Sequence, residues 1–210
     1  MTEEHEHSKP QRPPRPTYLV AVLVIAWMLG VGGVMNGCGN LQFFRQTTQP
    51  VLEVDASVDP VLRTYLESVH TSRIEALNAH HGRMIPLAAA DALLSGLLIV
   101  ACARALSGRP RAHHLALQAI AANILYAIAD FVVSAPVREA ILRAASLPPP
   151  DVGASLDQAS LALAYSWGFR LILLAHLFAL GAAAFALTRP RVLTFYRADP
   201  TVDDTGEEDS

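Results

Sequence analysis

Four long apolar stretches restrict the folds that this sequence can adopt. They cover residues 18–36, 84–106, 114–133 and 161–187, and few charged residues interrupt them. At a rise of 1.5 Å per residue, each stretch is long enough to cross a hydrocarbon core of about 30 Å as an α-helix. The sequence therefore predicts an all-α fold, a four-helix transmembrane bundle with a short amphipathic extracytoplasmic helix between its first two spans.

The remaining segments divide into two tails and two long loops. Residues 1–16 contain four prolines and no apolar periodicity, which is typical of a disordered tail. Residues 190–210 are predicted to form a second tail, which is acidic toward its end. The membrane domain then covers residues 17–189, with outer loops at 37–83 and 134–160.

Basic residues near the ends of the spans indicate the orientation of the chain. Nine lysines and arginines flank the spans on the side of the two tails, whereas six are spread over the two long loops. Because cytoplasmic segments carry an excess of basic residues, both termini are predicted to be cytoplasmic. Arginine accounts for fifteen of the sixteen basic residues, a bias that suggests a high-GC bacterial genome and therefore a bacterial inner membrane.

Each long loop contains a predicted helix. Asp59-Pro60 has the pattern of an N-cap followed by a first-turn proline, and it opens a helix that runs to His81. The second loop has a short amphipathic candidate at 137–145, which the prolines at 148–150 end. The first of these helices carries an apolar stripe formed by Leu62, Tyr65, Leu66, Val69 and Leu77.

The first span has an alternative interpretation as a cleaved signal. A basic segment, an apolar stretch and the pair Gly37-Cys38 together resemble a lipoprotein signal peptide. Met35 and Asn36 fit the cleavage site poorly, so an uncleaved span is favoured while cleavage at Cys38 stays an open alternative. A disulfide between Cys38 and Cys102 is excluded, because the two are predicted to lie toward opposite sides of the membrane.

Besides Arg104, which lies two residues before the end of the second span and is counted with the flanking basic residues, three charged residues lie inside the predicted spans. A charge near the centre of a span costs at least about 2.5 kcal/mol on insertion scales, so it normally faces a partner or a cavity. Asp91, Asp130 and Arg170 fall at a similar depth in the outer leaflet when the helices alternate in direction. Ser95 shares a helix face with Asp91, and Asn123 shares one with Asp130. The sequence therefore predicts a polar cluster of these five residues.

The predicted cluster has two main interpretations. Either Arg170 pairs with one aspartate and joins two helices, or the aspartate left without a full partner binds a proton or a cation. In a third interpretation, one or more of the charges extends to the membrane interface. His176, near the middle of the fourth span, is a candidate ligand residue. Because no second histidine lies at its depth, neither a metal site nor a cofactor is predicted.

Small residues favour close packing of the first helix. Gly33 and Gly37 have GxxxG spacing, and Ala26 and Gly30 extend the pattern of small residues. Such a pattern lets two helix backbones approach closely. It predicts tight contact inside the bundle or between copies of the chain, and it does not specify the partner.

The leading functional hypothesis follows from the absence of catalytic motifs. The Cys-x-x-Cys pair of four-helix thiol oxidoreductases is missing, and the basic patch of a nucleic-acid binder is missing too. The chain is therefore expected to be a non-enzymatic structural or accessory subunit of the membrane. Its predicted partners are the lipid bilayer and a second copy or another membrane protein, with no nucleic acid.

Two other functions remain as alternatives. One is a small proton- or cation-coupled transporter or channel that uses Asp91, Asp130 and Arg170. The other is a membrane enzyme with His176 as its base. This enzyme requires Ser95 or Tyr126 to reach the imidazole, because proton transfer needs a hydrogen-bonding distance.

Overall fold

All regular structure in the described part of the chain is helical. A computed structural model describes residues 15–46, 60–109, 111–146 and 158–197, and within them there is no strand. The Asp59 cap, the prolines at 148–150 and most of the two predicted tails lie outside the described residues.

Seven helices are present in the described ranges. In chain order they are α1 (Thr17–Arg45), α2 (Pro60–Ala79), α3 (His81–Leu106), α4 (Ala112–Val133), α5 (Ala135–Ala145), α6 (Gln158–Leu187) and α7 (Pro190–Arg197). Four of them are long and apolar enough to cross a membrane: α1, α3, α4 and, within α6, Leu163–Leu187. The prediction of four long apolar helices is confirmed, and these helices suggest a multi-pass membrane protein.

The four long helices form a ring in which neighbours run in opposite directions. α1 packs on α3, α3 on α4, α4 on α6, and α6 on α1. We call the side that carries α2 and α5 the roof end, and the side that carries α7 the base end. Toward the base end, the ring is filled by a buried apolar core that includes Leu23, Leu98, Ile120, Leu180 and Leu187.

Helix α1 continues nine residues past the end of the predicted span, and its contacts with α3 continue past residue 36. A Cβ atom on Gly37 would lie 2.7 Å from both the Ala88 carbonyl oxygen and the Ala92 nitrogen, so the two backbones are in close contact there. One turn earlier, Gly33 lies against the Ser95 side chain. The small residues that predicted close packing therefore lie between α1 and α3, inside the bundle.

Helix α7 was not predicted, since residues 190–210 were assigned to an acidic tail. Val192, Phe195 and Tyr196 are buried against the base end, and their i, i+3, i+4 spacing makes one apolar face. The Tyr196 hydroxyl donates a 2.6 Å hydrogen bond to the Ala105 carbonyl of α3, and its ring stacks on His113 of α4. This short helix thus fastens the end of α6 to its neighbours.

Helices α2 and α5 pack on each other at the roof end. Ile74 and Leu77 of α2 are buried, as are Val137 and Ala144 of α5. Helix α2 ends at Ala79, two residues before the predicted end, and a turn at residue 80 leads into α3. The helix predicted at 137–145 is present as α5, which begins two residues earlier.

One hydrogen bond between these two helices is expected to depend on pH. The Tyr65 hydroxyl donates to the Ala145 carbonyl oxygen at 2.8 Å. Burial raises the pKa of Tyr65, and the nearby Tyr165 hydroxyl acts in the same direction. Because the neutral phenol is favoured in the folded state, the contribution to stability is present below the ordinary tyrosine pKa of about 10 and is lost as the pH rises through the folded pKa.

We expect α2 to separate from α5 above pH 10 in the wild-type protein. Tyr65→Phe should show the looser arrangement already at pH 7, with little further change at high pH, because it lacks the hydroxyl. Spin labels at the exposed positions Glu67 and Arg143 would report the distance between the helices. An identical pH response in both proteins would contradict this role of Tyr65.

Candidate ligand-binding cleft

A cleft of about 870 Å³ lies at the roof end, between the four long helices and beneath α2 and α5. Apolar side chains such as Leu29, Phe169 and Leu173 form much of its wall. Its lining also contains polar side chains from six different helices. These polar residues include Asn36, Arg73, Asp91, Tyr126, Asp130, Arg138 and His176.

Asp91 is the most buried of these charged groups, with 8% of its surface exposed. Its carboxylate accepts a 2.9 Å hydrogen bond from the Asn36 amide of α1 and a 3.3 Å bond from the Ser95 hydroxyl. A Cβ atom on Gly33 would overlap the Ser95 hydroxyl, so glycine at that position leaves the space for this pair. The shared helix face predicted Ser95 beside Asp91, whereas Asn36 was not among the residues of the predicted polar cluster.

Two further polar side chains hold α4 against α3. The Asn123 amide donates to the Leu94 carbonyl of α3 at 3.0 Å, and the Tyr126 hydroxyl donates to the Leu87 carbonyl at 3.0 Å. Asn123 is 4% exposed and lies outside the lining of the cleft, whereas Tyr126 is part of that lining. Asn123 therefore joins two helices, and Tyr126 both joins them and contributes to the cleft.

Asp130 lines the cleft near the end of α4 and is half-buried. Among the described residues, no side chain or backbone group donates a hydrogen bond to its carboxylate; its backbone carbonyl accepts from the Ser134 amide at 2.9 Å and from the Ser134 hydroxyl at 2.6 Å. A carboxylate of this kind has its full capacity to accept hydrogen bonds from a ligand.

Arg138 of α5 is the arginine that the structure places near Asp130. Its guanidinium donates a 2.6 Å hydrogen bond to the Ser134 hydroxyl and lies 3.8 Å from the centre of the Phe131 ring. Burial lowers the pKa of Arg138, and the negative charges of Asp130 and Glu139 oppose that change. Asp130 and Arg138 thus interact through their charges while the guanidinium is bonded elsewhere.

Arg170 does not join the predicted cluster. Its side chain is exposed, its guanidinium lies 5.7 Å from the centre of the Trp167 ring, and it does not line the cleft. The residues of α6 that do line the cleft include Tyr165, Phe169 and His176, which follow one helical face. Since Arg170 is one residue after Phe169, it points about 100° away from that face. Arg170 therefore lies apart from the polar residues of the cleft, whereas Arg138 is one of them.

His176 lies in the cleft together with Asp91. It is half-buried, and its imidazole and the Asp91 carboxylate are close enough to interact electrostatically. The hydroxyls of Ser95 and Tyr126, which a catalytic His176 would need, donate to Asp91 and Leu87 instead. In the described ranges, the structure brings together no group of three or more histidine, cysteine or acidic side chains suited to hold a metal ion.

The cleft opens mainly between α1 and α6. Its exposed lining residues are three on α1, two on α6 and Arg73 of α2, whereas every lining residue of α3, α4 and α5 is buried or half-buried. The opening is therefore on one side of the ring, with Arg73 at its upper edge. The exposed lining residues of the two long helices are Met28, Gly32, Asn36, Tyr165 and Ile172.

Comparison with protein-family models, with curated proteins and with solved structures returns no match for this chain. The function is therefore inferred from the geometry of the cleft. It combines two carboxylates in an apolar enclosure with two arginines nearer the roof. This arrangement suits a ligand that carries a positive charge and can donate hydrogen bonds.

Proposed function

We propose that the chain is a multi-pass protein of the bacterial inner membrane that binds a cationic solute in the roof-end cleft. A small proton- or cation-coupled transporter would contain such a site. The observation that carries the proposal is the Asp130 carboxylate, which faces a cleft of about 870 Å³ and accepts no hydrogen bond from the described residues. An ionised carboxylate at membrane depth is costly unless a cation or a hydrogen-bond donor compensates it.

The proposed orientation places the roof end outside the cytoplasm. The base end carries the basic segments around Arg109 and Arg191, and the positive-inside bias assigns that side to the cytoplasm. Helix α2 then lies on the outer surface as an amphipathic helix, with Ile74 and Leu77 inward and Glu67 and Glu75 exposed. Both termini are cytoplasmic in this arrangement.

The packed base end closes the proposed site on the cytoplasmic side. Buried residues of all four long helices fill the ring there, among them Leu23, Cys102 and Leu180. A solute bound beside Asp130 has access through the side opening between α1 and α6, whose upper edge carries the exposed Arg73. The conformation is thus outward-open, and transport would require the base-end contacts to separate in a second conformation.

Titration of the purified protein in nanodiscs with methylammonium, and separately with Na⁺, would test this proposal. We expect a cation to bind the wild-type protein and to bind Asp130→Asn roughly 10- to 100-fold more weakly, because a hydrogen bond to a charged group contributes about 1.5–3 kcal/mol. Glu139→Gln is the matched control, since Glu139 is exposed and lies outside the cleft. Equal affinity in Asp130→Asn and the wild type would refute the site.

A structural or accessory role is the second candidate. It is favoured by the surface of α2, where Glu67, Thr71, Glu75 and Asn78 are exposed on the side away from α5 and could contact a membrane protein partner. This role assigns no importance to Asp130. If substitutions on α2 release a co-purifying protein while Asp130→Asn has no effect on cation binding or growth, the structural role is the correct one.

A further inference from the structure

We infer that the ligand of this cleft is a phospholipid with a primary ammonium headgroup, which enters from the surrounding leaflet between α1 and α6. The inference rests on the proposed cation site and specifies the class of its ligand. It follows from the side on which the cleft opens, from the packing of α1 on its neighbours and from the order of the charges along the cleft.

The opening faces the lipid of the leaflet at the roof end. Met28 and Ile172, on opposite sides of the opening, are 63% and 70% exposed, as expected for apolar side chains that contact acyl chains. Met28, Gly32 and Asn36 are spaced four residues apart, so they form one edge about 12 Å long. An amphiphile could therefore reach the polar residues of the cleft without leaving the bilayer.

Toward the roof end α1 packs closely on α3, and toward the base end its buried leucines join a core that also contains residues of α6. Gly30, Gly33 and Gly37 bring α1 onto α3, and a Cβ atom at any of the three would come too close to atoms of α3. Contacts between α1 and α6 are provided in the base-end core, where Leu23 and Leu180 are fully buried. The two helices consequently have a packed lower part and an open upper part.

The charges of the cleft are ordered like those of a zwitterionic headgroup. The carboxylates of Asp91 and Asp130 belong to the long helices, whereas Arg73 and Arg138 belong to the roof helices α2 and α5. A primary ammonium can donate three hydrogen bonds, and the phosphate linked to it can interact with an arginine. Anionic headgroups without an amine would bring no ammonium to the Asp130 carboxylate, and a quaternary ammonium has no N–H to donate.

The apolar wall provides the remaining contact. Leu29 of α1 and Phe169 and Leu173 of α6 line the cleft next to its opening, where the first part of an acyl chain would lie. The rest of the acyl chains would stay in the bilayer beside Met28 and Ile172. A small soluble cation would fill the polar part of the cleft and leave this apolar part without a ligand.

Native mass spectrometry of the full-length protein would test the inference by competition between lipids. We expect phosphatidylethanolamine to be retained at least tenfold more strongly than phosphatidylcholine or phosphatidylglycerol. We also expect this preference to be lost in Asp130→Asn and reduced in Asp91→Asn. Glu139→Gln should retain the wild-type preference. Circular dichroism of each variant would verify that the helices are intact.

Soluble ethanolamine in a parallel titration separates this inference from the proposed function. If ethanolamine binds in an Asp130-dependent manner and phosphatidylethanolamine shows no preference over the other lipids, the cation site stands and the lipid inference is overturned. If neither amine binds with a dependence on Asp130, both are overturned. A preference for phosphatidylethanolamine that Asp130→Asn abolishes supports both.

Discussion

A Gly37→Ala variant is expected to be less stable than the wild type by about 1–3 kcal/mol, the usual cost of adding a methyl group to a packed interface. The added Cβ would lie 2.7 Å from the Ala88 carbonyl oxygen and from the Ala92 nitrogen, and both of these are backbone atoms of α3. Because α3 cannot give way by rotating a side chain, α1 has to move. The expected movement separates the two helices that form the closed side of the cleft.

Gly39→Ala is the matched control, since it lies two residues further along the same helix. A Cβ atom at Gly39 would meet nothing within 4 Å, so the substitution changes only the helix propensity, which favours alanine by about 1 kcal/mol. Unfolding of both variants in detergent, followed by circular dichroism, measures the difference. If Gly37→Ala and Gly39→Ala are equally stable, the close contact between α1 and α3 is not present in the protein.

The length of α1 shows how far apolar patterning predicts this fold. The hydrophobic run ends near residue 36, and Gly37, Gly39 and Asn40 are poor helix formers, so the predicted span ended there. The helix continues to Arg45 because Gly37 packs on α3 and Asn36 bonds Asp91. These are tertiary contacts, and they cannot be predicted from the hydropathy of α1 alone.

The composition of the site shows a different limit. The sequence identified Asp91 and Asp130 as charges that need compensation, and both line the cleft. It selected Arg170 as their partner because hydropathy gives the depth of a residue and leaves the rotation of its helix undetermined. The face of α6 that carries Phe169 and His176 lines the cleft, so Arg170 points away from it. Arg138 belongs to α5, and the sequence pattern of α5 does not specify where that helix packs on the bundle.

Helix α7 was not predicted because its residues follow the last span, in a segment that was assigned to the acidic tail. Val192, Phe195 and Tyr196 have helical spacing, but eight residues are too few to stand out beside the acidic segment that follows. Their burial depends on the base end of the bundle. The periodicity of 190–197 was the signal that could have identified this helix.

A Gly32→Trp variant is expected to lose lipid binding in the cleft, with retention of phosphatidylethanolamine falling to the level of phosphatidylcholine. Gly32 lies at the middle of the α1 edge of the opening, and a Cβ atom there would meet nothing within 4 Å. The indole ring can therefore extend into the opening without displacing α3. Asp130 stays in place, so soluble ethanolamine, which is small enough to enter past the exposed Arg73 at the upper edge of the opening, should still bind.

Gly39→Trp provides the control for this variant. Gly39 is also exposed on α1 with nothing within 4 Å of a Cβ atom, but it does not line the cleft. Native mass spectrometry should give wild-type lipid retention for Gly39→Trp and loss of retention for Gly32→Trp, at equal helical content. Wild-type retention in both variants would show that lipids do not enter between α1 and α6. Loss of retention in both would show that a tryptophan on α1 acts by disturbing the fold. Loss in Gly32→Trp alone assigns the route to the gap beside Met28 and Ile172.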